Sequence, residues 1–192
     1  MLIAEAQREI RSAFFGSFVS HLVTGAVWAL SAAVSVWIAP RYGMAVLFFA
    51  GMMLFPLATL ILRAMGRSAR LSAGNTLGQL AMQVAFTVPI GFILVAAATL
   101  HRQNWFFPAS MIIVGAHYLP FIFLYGMWQF GVLAVVLIVG GDGLCLYGPE
   151  MFSLGGWLSA VVFVGFAFVA RSVVLKEENR STQMAARKNQ QK

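Results

Sequence analysis

Six apolar stretches set the terms for this chain. About twenty consecutive apolar residues are needed for a helix to cross the roughly 30 Å hydrocarbon layer of a bilayer. Residues 13–38 meet that length and stop at Pro40-Arg41. Residues 43–62 stop at Arg63, 77–100 at His101-Arg102, and 151–170 at Arg171. Residues 105–147 hold a single charge, Asp142. As one helix they would run about 65 Å at 1.5 Å per residue, so they divide near Gly126-Met127 into spans 105–126 and 127–147. The expected fold is all-α: a polytopic transmembrane bundle of six spans. Residues 1–12 form an amphipathic lead-in, 13–172 the transmembrane domain, and 173–192 a basic, solvated tail with a helical start. The first run is too long for the 7–15-residue core of a cleaved signal peptide and is expected to stay.

Composition closes off the soluble alternatives. Hydrophobic residues make up 60% and charged residues 10% of the chain, against about 45–50% and 25% in soluble domains. Too few polar groups remain to cover a water-facing globule. The net charge of +7 does not indicate nucleic acid, because the cations sit in short patches between apolar runs and form no basic face with interleaved aromatics. Their expected partner is anionic lipid at the cytoplasmic face of the bilayer. The lone Cys145 excludes an internal disulfide and is expected simply to pack.

Cation placement also orients the bundle. Six spans put both ends on one side. That side holds Arg8, Arg11, Arg63, Arg67, Arg70, Arg171, Lys176, Arg180, Arg187, Lys188 and Lys192, leaving Arg41 and Arg102 on the other. Eleven of the thirteen basic residues on one side place both termini in the cytoplasm, in a cell (inner) membrane.

Ionisable and amide groups inside a bilayer are costly enough to examine singly. His117 falls near the middle of its span and His21 about two turns into the first. Together they read as a proton-responsive or cation-binding pair, or as neutral imidazoles bonded to neighbouring helices. Gln79 and Gln83, four apart, share one helix face. They read either as lining of a polar cleft with Ser20, His21 and Thr24, or as interhelical hydrogen-bonding groups. Pro56, Pro89 and Pro120 lie mid-span and should kink their helices, freeing the carbonyls of Met52, Ala85 and Ala116. Gly140-Gly141-Asp142-Gly143 reads as a glycine-rich extracytoplasmic turn. Asp142 is the sole aspartate, so no aspartyl dyad exists. No catalytic set, metal-ligand spacing or cofactor motif is present, and no cofactor or metal is expected. Small residues at Gly16/Ser20, Gly25/Ala29, Ser31/Ser35 and Gly156/Ala160 suit close helix packing, in a compact bundle or a homodimer.

Gly51-Met52-Met53-Leu54-Phe55-Pro56-Leu57, Gly115-Ala116-His117-Tyr118-Leu119-Pro120-Phe121 and the charged lead-in give the chain a likeness. It resembles a family of small six-span bacterial integral membrane proteins of unknown function, over most of residues 5–172. The resemblance carries no reaction or ligand. It marks His117, Tyr118 and Pro120 for testing. The expected role is small-solute or proton-linked transport or binding through a Pro-kinked polar cleft around His117, with His21, Gln83 and Tyr118 contributing. The other expectation is a non-transporting membrane module that binds another membrane protein or serves a stress response.

Overall fold

Helices end here where the sequence removes a backbone donor or forces an unusual dihedral. In the computed structural model, which describes residues 1–190, no strand occurs among the described residues. The helices are α1 (Ile3–Ala13), α2 (Phe18–Trp37), α3 (Pro40–Met52), α4 (Leu54–Ala64), α5 (Leu77–Ala85), α6 (Thr87–His101), α7 (Phe106–Tyr125), α8 (Gln129–Tyr147) and α9 (Leu154–Gln190). Five segments are long and apolar enough to cross a membrane: Phe15–Trp37, Leu77–His101, Gln103–Tyr125, Gln129–Tyr147 and Leu154–Arg180. The bent pair α3 and α4 makes a sixth if counted as one span. These six segments overlie the six apolar runs.

Between α1 and α2 the chain turns through three successive left-handed residues, Phe15, Gly16 and Ser17, with φ of 51°, 60° and 69°. Gly16 is required there twice over. Its φ favours glycine, and a Cβ would stand 2.6 Å from Val174 Cγ2 and 3.2 Å from the Ala170 carbonyl of α9. It therefore belongs to the turn and not, with Ser20, to a helical small-residue face. Gly126, with φ 62°, ends α7, and Pro40 opens α3, where its missing N–H costs nothing.

Two further expectations need correction. Gly140 to Gly143 lie inside α8, not in a turn. The reason is packing: a Cβ on Gly141 would stand 2.6 Å from the Pro108 carbonyl of α7, so glycine lets the two helices touch backbone to backbone. The helical start expected of the tail is also too short. α9 continues through the polar segment to Gln190, about 55 Å from its start. Lys192 lies outside the described residues.

α2 packs mainly on α9 and α3, and α7 on α8 and α6. Gly25 serves the first contact, a Cβ there lying 3.1 Å from the Ala160 carbonyl. Ser31 Oγ donates to the Gly43 carbonyl at 2.7 Å and joins α2 to α3. The space between α2, α7, α8 and α9 is filled by rings. Trp28 meets Phe107 and Phe163 at centroid distances of 6.0 and 5.8 Å, and Phe130 meets Phe166 at 5.0 Å.

One end of the bundle is locked by charge. Arg11 donates from Nε and Nη2 to the two carboxylate oxygens of Glu177, both at 2.7 Å, and from Nη1 to the Tyr125 carbonyl. Gln7 donates to the Phe123 carbonyl at 2.6 Å. Arg67 pairs with Glu178 at 2.9 Å and lies 4.4 Å from the Phe15 ring. α1 and the polar part of α9 thus meet at the same end. Arg102 and Glu150, 2.5 Å apart, join the connections at the other.

Candidate functional site

His21 is held on the second turn of α2 and is 1% exposed. Its Nδ1 donates to the Ser17 carbonyl at 2.8 Å, which leaves Nε2 as the unprotonated acceptor of a neutral ring. Nε2 is buried without a hydrogen-bond partner. Four rings surround the imidazole: Phe166 at 4.8 Å, Tyr118 at 5.2 Å, Phe130 at 5.8 Å and Phe163 at 6.1 Å.

Tyr118 is shared. Its ring lies 5.2 Å from His21 and 5.4 Å from His117. His117 is half-buried on α7 and its ring also meets Phe121, at 5.0 Å. Its Nδ1 lies 3.0 Å from both the Val84 carbonyl and Thr87 Oγ1, and Thr87 Oγ1 donates to that same carbonyl at 2.7 Å. His117 therefore fastens α7 to the junction of α5 and α6.

That junction is the work of proline. Both helix breaks lie three residues before one: Met53 before Pro56 and Phe86 before Pro89. A proline ring crowds the preceding turn and leaves a carbonyl without its donor. At Met53 the axis turns by 55°. Near Pro89 the carbonyl taken up by side chains is that of Val84, one residue before the expected Ala85. Pro120 differs, since α7 runs on through it to Tyr125.

The structure brings His21, Tyr118 and His117 together and leaves Gln79 and Gln83 apart. Both glutamines are exposed on α5, whereas His21 and Thr24 are buried, and α5 packs on α7 and α6, so the structure does not gather these four residues and Ser20 into one polar cleft. Two surface clefts lie at the ends of the bundle instead. One, of about 180 Å³, is bordered by Arg102, Trp105, Tyr147 and Glu150. The other is bordered by Glu5, Arg8, Glu9 and Arg70. Among the described residues, no three His, Cys, Asp or Glu side chains converge as metal ligands.

The sequence reading passed over three features. The phenylalanines enclosing His21 carry no polar signal. Thr87 could have been suspected from its place two residues before Pro89. Glu9 accepts from the Ser72 backbone N–H at 2.6 Å, from Ser72 Oγ at 3.0 Å and from Asn75 Nδ2 at 2.9 Å. It ties α1 to the connection before α5. The Ser72 N–H first, then Asn75, holds the Glu9 carboxyl below the usual carboxylate range.

Over residues 3–175 the chain matches a family described as a family of unknown function, DUF7010, and it belongs to that family. No curated protein and no solved structure matches it.

Proposed function

We propose that this member of DUF7010 is an integral protein of a bacterial-type cytoplasmic membrane, with six spans and both termini inside, that works as a non-transporting module holding another membrane protein. The observation that carries this reading is the filled interior. Where a conduit would need a polar lane, rings of α2, α7, α8 and α9 meet at 4.8–6.1 Å around His21. His117 is spent on joining α7 to the α5–α6 junction. The basic end supports the orientation, since cations accumulate on the cytoplasmic side. Arg63 and Arg171 lie exposed there, suited to the anionic headgroups of the inner leaflet.

Transport or proton-linked binding remains a second reading on one specific ground: Nε2 of His21 has no partner, and Tyr118 bridges it to His117. Proteoliposomes separate the two readings. With a pH gradient imposed, the module moves protons and candidate solutes no faster than empty liposomes do. Flux above that background, lost in His21→Phe, would establish the second reading and remove the first.

A further inference from the structure

The outward faces of the spans differ in one respect. α8 presents Val132, Val135 and Val139, and α9 presents Val161 and Phe168, all exposed and apolar as acyl chains require. α5 presents Gln79 and Gln83, exposed beside Met82 and Phe86. Neither amide makes a hydrogen bond among the described residues. Gln79 stands about 3 Å and Gln83 about 9 Å along the helix from its first residue, so on the membrane reading the second amide falls within the edge of the roughly 30 Å hydrocarbon layer. The segment that bears them, Leu77–His101, is the least buried of the candidate spans, 11% against 50% for Phe15–Trp37.

An amide donor and acceptor left in hydrocarbon call for a partner offering both. A primary carboxamide is its own complement, because two can each donate one N–H to the other's oxygen. Residues four apart on one helix face meet their own counterparts at equal depth across a two-fold axis along the membrane normal. That axis is the commonest symmetry of protein dimers. We infer that a second copy of this chain packs against α5, with Gln79 facing Gln79 and Gln83 facing Gln83 of the other copy. The inference rests on the membrane reading above.

The test uses the full chain with Cys145→Ser, purified and reconstituted in phosphatidylethanolamine–phosphatidylglycerol vesicles. Single cysteines are placed on three faces: Met82→Cys on α5 with Phe86→Cys at the break after it, Val135→Cys on α8, and Val161→Cys on α9. Oxidation should double the mass at positions 82 and 86 and leave 135 and 161 monomeric. Gln79→Leu with Gln83→Leu should weaken association about tenfold, the scale of a few interhelical hydrogen bonds. The more apolar leucines leave the fold intact, and a circular dichroism spectrum checks it. Equal crosslinking at 135 or 161 overturns the inference, as does association unchanged by the leucines. So does crosslinking of 82 and 86, in cell membranes, to a different polypeptide alone. Release of the chain from membranes by alkaline carbonate without detergent would instead defeat the membrane reading itself.

Discussion

At the scale of single residues, His21 is the group whose surroundings demand most. The Ser17 carbonyl fixes its tautomer, and the remaining nitrogen faces rings. A phenylalanine removes the unpaired Nε2 but leaves the buried Ser17 carbonyl without the imidazole donor, so His21→Phe should cost about 1–3 kcal/mol. His21→Ala leaves a void among four rings and should cost about 3–5 kcal/mol. Thermal unfolding in detergent reads both. Glu9 makes a pH prediction of definite sign. Its folded pKa lies below the unfolded value, so its contribution is complete above the unfolded value, near pH 4.3, and is lost as pH falls through the folded one. The protection of residues 68–76 against hydrogen exchange, taken relative to an unstructured chain at the same pH, should therefore fall on acidification below about pH 4, and Glu9→Gln should be poorly protected already at pH 7. That both histidines lie inside long apolar helices was legible from run lengths alone. The enclosing phenylalanines were not, because an apolar residue facing lipid and one facing the core look alike in a membrane sequence.

At the scale of elements, prolines were legible as trouble but not in detail. Pro56 and Pro89 each lie three residues past a helix break, whereas α7 absorbs Pro120 without one. The difference lies in support: α7 is clasped between α6 and α8, while the α3–α4 pair leans mainly on α2. Pro56→Ala restores a donor for the Met52 carbonyl and should straighten the 55° bend. Spin labels at Tyr42 and Arg63, one on each arm, should then move apart by about 3–4 Å. An unchanged distance would show that packing against α2, not the missing donor, sets the angle. The glycines of α8 misled for a related reason: in water such a cluster marks a turn, but between membrane helices it permits contact.

At the scale of the whole molecule, the apolar segments could be read in advance because length is a local property: five helical segments are long and apolar enough to cross a membrane, and the bent pair makes a sixth if counted as one. Which spans are central could not be, since hydropathy does not separate Leu154–Arg180, 39% buried, from the nearly naked Leu77–His101, 11% buried. Nor could the lock between α1 and α9, whose partners Arg11 and Glu177 lie 166 positions apart. Arg11→Ala, at a side chain 13% exposed, should lower unfolding stability by about 2 kcal/mol, less than a fully buried pair would. Arg11→Lys should recover only part of it, since a lysine cannot reproduce the two-pronged grip. Cytoplasm-dependent fluorescent reporters fused to either terminus should both light up; one dark fusion would break the even span count.

The same lock has a bearing on how the protein is made. Gln7 and Glu9 can seat α1 against α7 and the connection before α5 early, but the Arg11 guanidinium meets its carboxylate only when Glu177, 166 positions downstream, arrives. A chain stopped short of Glu177 would hold α1 in place yet leave that guanidinium without its counter-charge.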